Sequence, residues 1–336
     1  MPITPEDRQR NSERARNAWG ADGGRLRLRS EHGGRVNACA VTPDGRRAIS
    51  ASDDHTLKIW DIERARPELT LEGHALHVTA CAVSPDGGRL ISGSLDDTLR
   101  VWALPDGRPL ATLEGHEAAV TACAPTADGQ HVISASWDHT VKLWSLSTGR
   151  LLASSVFEVL FEDSTCQITA CAALRDSRRA VLASSCGDLK VWDIENNRVA
   201  ARLRGHTSGV TACVVSPDGR RVISGSADRT LQVWDLETAS PLAKLEGHEA
   251  AVTACAMTSD GRRVISASED RTLKVWELHT GACVLTHRGD LRFTAVAAAA
   301  AGVIAGDATG AVAFLDWPAP PQQRRPRLRR TSRGRS

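Results

Sequence analysis

One repeat period limits what this chain can become. Cys39, Cys81, Cys123, Cys171, Cys213 and Cys255 follow one another at 42, 42, 48, 42 and 42 residues, and Trp60, Trp102, Trp144, Trp192, Trp234 and Trp276 keep the same intervals. A unit of this length cannot bury a core by itself. It must stack against copies of itself, and periods of roughly 20–50 residues mark solenoids, propellers or arrays. The single interval of 48 places a six-residue insertion between Trp144 and Cys171.

Within one unit every segment reads as strand. LEGHALHVTACAVSPDGGRLISGSLDDTLRVWAL (71–104) returns at 113–146, 203–236 and 245–278, with an earlier copy from His32 to Asp61. VTACAVS, RLISGS and TLRVW are short, apolar, β-branched runs, punctuated by the turn signals Pro-Asp-Gly and Asp-Asp-Thr. A fourth run, such as Pro109 to Leu113, leads into Gly-His. Four strands per unit, with Gly-His at one end and Trp or Trp-Asp at the other, resemble the WD-repeat family over about residues 25–317. The resemblance implies an all-β, seven-bladed propeller of four-stranded sheets around a central channel. Six units are plain. The seventh, 289–317, lacks Gly-His and the central tryptophan, with Leu315 in the tryptophan's place and Trp317 just beyond. It also lacks a fourth strand. Arg25 to Arg29 alternates with strand period ahead of His32 and is expected to supply that edge, closing the ring; an open ring would expose sheet edges that invite aggregation.

Hydrophobic residues make up 41% and charged residues 24%, a globular composition. No apolar run reaches the roughly 18–20 residues that span a bilayer. Met1 to Asn17 has no apolar stretch for a signal sequence, so a cytoplasmic protein is expected. The absence of tyrosine beside abundant arginine and alanine points to a GC-rich, bacterial source. Three regions follow. Residues 1–23 read as a polar helix and linker: Thr4 caps, Pro5 takes the first helical position, Glu6 and Asp7 follow, the helix covers 5–18, and Trp19 is its one large apolar contact. Residues 24–317 form the propeller. Residues 318–336 are too poor in apolar side chains to fold and read as a disordered tail. The tail carries Arg324, Arg325, Arg327, Arg329, Arg330, Arg333 and Arg335 and no acid, so the formal net charge of +2 hides an acidic body. Through charge alone it suits nucleic acid, an acidic protein or anionic lipid. No aromatic residue is interleaved for stacking on bases.

Serine, histidine and aspartate recur as if in a nucleophilic triad. The sets are His32, Ser52, Asp54, Trp60; His74, Ser94, Asp96, Trp102; His116, Ser136, Asp138, Trp144; His206, Ser226, Asp228, Trp234; and His248, Ser268, Asp270, Trp276. The resemblance implies a structural reading, a hydrogen-bonded tetrad tying the Gly-His loop to the Asp turn and the Trp strand. Five copies of one triad make no sense in an enzyme. Six of the nine cysteines share one strand position, where a free thiol packs as a small apolar group. None lies in a Cys-x-x-Cys pair, so neither a zinc site nor a disulfide framework is expected. Cys166, Cys186 and Cys283 fall outside the pattern, and Cys186, where other units place the turn aspartate, reads as decay. No phosphate loop, His-Glu-x-x-His pair or nucleophile elbow occurs. No enzyme activity, cofactor or metal is expected.

In a repeat protein, specific function belongs where units differ. The fourth unit has Ser164 in place of its histidine, preceded by VFEVLFEDSTC (156–166). Phe157, Val159, Leu160 and Phe161 form either an outer strand folding back on its blade or a partner-binding loop. The residue before the turn aspartate reads Asp53, Leu95, Trp137, Ala227 and Glu269; in the family it faces outward beside the channel mouth. Leu95, Trp137 and the Phe157–Phe161 loop therefore point to an apolar patch on the Gly-His face of blades two to four, unless Trp137 lies flat over a neighbouring turn. The expected function is a monomeric, non-enzymatic scaffold or recognition subunit of a multiprotein assembly, of bacterial signalling or defence type by family analogy. The alternative is a nucleic-acid-associated factor recruited through the tail.

Overall fold

A computed structural model describes residues 26–104, 106–156 and 166–317. Among them lie 28 strands in seven four-stranded antiparallel sheets. Blade two shows the pattern: β6 (Val78–Val83) lines the channel, followed outward by β7 (Arg89–Ser94), β8 (Leu99–Ala103) and β9 (Pro109–Leu113). Burial follows this order. The second strand is buried along nearly its whole length because both faces meet neighbouring sheets, while the outermost strand alternates toward solvent.

The last blade is closed from the other end of the chain. β1 (Leu26–Ser30) pairs antiparallel with β28 (Ala311–Asp316), from Leu26 opposite Leu315 to Ser30 opposite Ala311. Leu26 and Leu28 remain about half exposed, so burial does little to hold this strand. Arginine does more. Arg27 reaches Asp316 at 2.6 Å, donates to the Glu63 carbonyl and lies over the Phe314 ring, and Arg29 donates to the Ala65 carbonyl at 2.8 Å. Because Glu63 and Ala65 belong to blade one, β1 joins the last blade to the first.

Seven apolar clusters hold the ring, each astride one seam between blades. At the first seam Ile49, Leu57 and Ile59 of blade one meet Val78, Leu90 and Trp102 of blade two. The repeating tryptophan thus packs against the preceding blade, which is why the sequence period and the packing period coincide. Blade seven breaks the rule: Leu315 pairs with Val303 where other blades set the tryptophan, and Phe314 turns onto Trp60 with ring centroids 5.8 Å apart. Alanines thin this blade, and a Cβ on Gly306 would collide with Val36 of blade one.

A second belt runs around the channel. Asn37 donates to the Val78 carbonyl, and the hydroxyls of Thr79, Thr121, Thr169, Thr211, Thr253 and Thr294 donate to the carbonyls of Val120, Ile168, Val210, Val252, Phe293 and Val36. Each innermost strand thereby grips the next, and the seventh grips the first.

Candidate functional site

Five blades carry a buried polar relay. In blade three, Trp144 Nε1 donates to Ser134 Oγ at 2.8 Å, Ser134 Oγ meets His116 Nε2 at 2.7 Å, and His116 Nδ1 meets Asp138 Oδ2 at 2.7 Å. The serine hydroxyl accepts from the indole and shares its other hydrogen bond with Nε2, while Nδ1 faces the carboxylate, so one hydroxyl links the tryptophan to the histidine–aspartate pair. The bridging hydroxyls are those of Ser50, Ser92, Ser134, Ser224 and Ser266. This corrects the sequence reading, which assigned Ser52, Ser94, Ser136, Ser226 and Ser268. Those sit two residues later, on the same strand face but at its end. Their hydroxyls donate to Gly-His loop carbonyls and accept the amide of the turn aspartate, as Ser136 does with Ala118 and Asp138. All five bridging serines are 0% exposed, so no substrate can reach them as nucleophiles.

The relay sets a pH dependence. Burial works to raise the carboxyl of Asp54, but the Thr56 hydroxyl, the His32 ring and the Gly33 amide outweigh it and bring it to about 2; the net direction is the same at Asp96, Asp138, Asp228 and Asp270. Burial lowers His32, His206 and His248, only partly offset by their aspartates. A lowered histidine stabilises the fold fully above its unfolded value of about 6.5 and loses that contribution as pH falls below it; a lowered aspartate stabilises fully above its unfolded value of about 3.9 and loses that contribution as pH falls below it. Both act in one direction. The urea midpoint is expected to fall from about pH 6.5 downward and more steeply below about pH 4; a midpoint constant from neutrality to pH 4 contradicts the relay.

Blade four dispenses with this device. Leu182 stands where the bridging serine would be, opposite Lys190 as Ser134 is opposite Lys142, and Trp192 Nε1 turns to Asn197 Oδ1 at 3.2 Å. Cys166 and Cys186 are joined by a disulfide. This overturns the expectation that no disulfide forms and that Cys186 marks decay. Cys186 occupies the turn-aspartate position and Cys166 lies in the loop before the innermost strand, so the bond ties the same loop to the same turn that His and Asp tie elsewhere. Closing a loop of sequence separation 20 is worth about 3 kcal/mol. Reduction, or the pair Cys166→Ser and Cys186→Ser, should lower the melting temperature by about 5 °C; identical oxidised and reduced midpoints would remove the bond from the account.

The channel is walled by repeated Thr-Ala-Cys, with Asn-Ala-Cys in blade one and Thr-Ala-Val in blade seven. Burial pushes Cys39, Cys123 and Cys255 up to about 12, which favours the protonated thiol over the nucleophilic thiolate. Among the described residues no group of three or more His, Cys, Asp or Glu is placed to hold a metal. One non-repeating polar cluster sits at the mouth between blades one and two: Asp53 accepts from Asn37 at 2.7 Å and lies 3.3 Å from His77 Nδ1, whose ring is 5.3 Å from that of His55. It contains no nucleophile and locks the turn of blade one to the loop of blade two.

The relays fix the loops around them, and one side chain stands out. Trp137, 47% exposed, precedes the relay aspartate of blade three, with its amide bonded to the Ala119 carbonyl. Leu95 holds the equivalent turn position in blade two, half-buried, its amide on the His77 carbonyl. Leu76, in the Gly-His loop of blade two, is 46% exposed and was missed by sequence reasoning, although the equivalent positions hold Gly34, Ala118, Cys166, Ser208 and Ala250. Phe157, Val159, Leu160 and Phe161 lie outside the described residues, as do the N-terminal helix expected at 5–18 and the arginines of the tail. No helix of the described residues is long and apolar enough to cross a membrane.

The family model for the WD domain, G-beta repeat, matches residues 24–61, 65–103, 107–145, 197–235 and 239–277, together more than half of the chain. Each matched segment holds one complete relay, and the three inner strands of blades four and seven, which lack it, are not matched. Comparison with curated proteins gives no match.

Proposed function

Because the chain belongs to the WD-repeat family (WD domain, G-beta repeat), we propose that it is a non-catalytic binding platform whose Gly-His face, at blades two to four, engages a protein partner. WD propellers generally mediate protein–protein interaction or scaffolding. The observation that carries the reading is Trp137: a large aromatic held in water on a turn fixed from both sides is the kind of anchor that dominates interfaces. The reading makes the chain a recognition subunit of a larger assembly, with any effector activity on another polypeptide; a bacterial signalling or defence complex is the setting that family analogy suggests. Catalysis has no support from the serine–histidine–aspartate sets, whose hydroxyls are buried and already committed to hydrogen bonds. The setting pulls two ways: the expected cytoplasmic location is reducing, whereas the Cys166–Cys186 bond suits an oxidising compartment.

The test is affinity capture comparing the full chain with Trp137→Ala, with deletion of 157–161 and with deletion of 324–335. Partners lost with Trp137→Ala and kept without the tail support the platform reading. Partners unchanged by Trp137→Ala, together with nucleic acid lost on tail deletion, would favour recruitment through the seven arginines.

A further inference from the structure

The Gly-His face is not evenly charged. In blades two and three its loops and turns, 72–77, 95–98, 114–119 and 137–139, contain no Lys or Arg. They present Glu72, Glu114 and Glu117 exposed and Asp97 half-buried, and none of these four is in an ion pair among the described residues. The nearest bases lie beneath, on the third strands. Lys142 is 8% exposed and bonded to Ser154, while Arg100 lies over Trp102. Across the ring the same loops mix both signs: Arg204, Arg229, Arg271 and Arg292 stand among Glu246, Glu249, Glu269 and Asp290, with Arg204 paired to Asp188, Arg292 to Glu269 and Glu246 to Lys244. The apolar side chains fall on the acidic side: Trp137, Leu76 and Leu95 share blades two and three with the four free carboxylates.

We infer that the partner segment recognised here is basic, a stretch of Arg or Lys side chains carrying at least one apolar residue to cover Trp137. This deepens the platform reading and rests on it. An aromatic anchor that shares two blades with uncompensated carboxylates gains from a cationic partner twice: opposite charge steers the encounter, and guanidinium groups stack on an exposed indole. An acidic segment would meet four like charges and no base to offset them. The chain's own residues 324–335, seven arginines around Leu328, have the required chemistry and make a ready probe.

The test is selection of random twelve-residue peptides displayed against the full chain. Affinities of the enriched sequences, and of a synthetic 324–335 peptide, are then measured for the wild type, for Trp137→Ala and for the double variant Glu114→Lys/Glu117→Lys. All three side chains are exposed, so wild-type melting temperatures serve as the folding control. The expected result is enrichment of net-positive peptides with an apolar residue, weakened at least about tenfold by either change and further by salt. Neutral or acidic winners that still depend on Trp137, or basic ones indifferent to the charge reversal, would overturn the charge inference and leave the platform reading standing. Winners indifferent to Trp137→Ala, or no enrichment, would sink both.

Discussion

Deleting Leu26–Ser30 is expected to lower the melting temperature by about 8 °C and to promote aggregation of the opened ring. The five residues pair with Leu315 to Ala311, and no other described strand can take their place on β28. At about 1 kcal/mol for each backbone hydrogen bond, the ladder is worth about 5 kcal/mol. Loss of Arg27 and Arg29 also removes the Arg27–Asp316 ion pair and the contacts to the Glu63 and Ala65 carbonyls that bind the last blade to the first. The exposed edge of β28 is long, apolar and uncharged over Ala311–Leu315, the kind of edge that pairs with another chain. Differential scanning calorimetry with light scattering reads both effects. A deletion variant that melts like the wild type and stays monodisperse would mean that β1 is not part of the closure.

Replacing Trp144 is the second large effect. Trp144→Ala removes a 1%-exposed side chain from the seam between blades two and three and is expected to cost about 4 kcal/mol. The substitution to Phe separates packing from hydrogen bonding. In blade three it leaves Ser134, fully buried, without its indole donor; in blade four Trp192→Phe releases only Asn197, an exposed residue whose carbonyl returns to water. Trp144→Phe should therefore cost about 1–3 kcal/mol more than Trp192→Phe in urea unfolding. Equal costs would show that the relay adds nothing beyond the packing of the ring.

The period made the propeller legible, because each repeat cannot bury its tryptophan except against its neighbour, and Arg25–Arg29 made the closure legible by its alternation. The relay was legible in three of its four members. Its serine was misplaced because Ile-Ser-Ala-Ser and Ile-Ser-Gly-Ser offer two hydroxyls at strand period, on one face. Only their depth in the sheet separates Ser134, which meets both His116 and Trp144, from Ser136, which meets a loop carbonyl. The disulfide was missed although a signal existed: the fourth unit had lost both the histidine and the aspartate of the clamp, and two of the three cysteines outside the repeat pattern fell in its loop and turn. The polarity of the Gly-His face was also written in the sequence, but only strand order shows that 72–77, 95–98, 114–119 and 137–139 come to one side of the ring.

Hydrogen exchange measured on the chain with and without its captured partner tests the central claim, recognition through the Gly-His face, most directly. Slowed exchange is expected in 72–77, 95–98, 114–119 and 137–140, with the Pro-Asp-Gly turns on the opposite face, such as Pro43–Arg47 and Pro217–Arg221, unchanged. Protection confined to those opposite turns, or to the outermost strands, would contradict it.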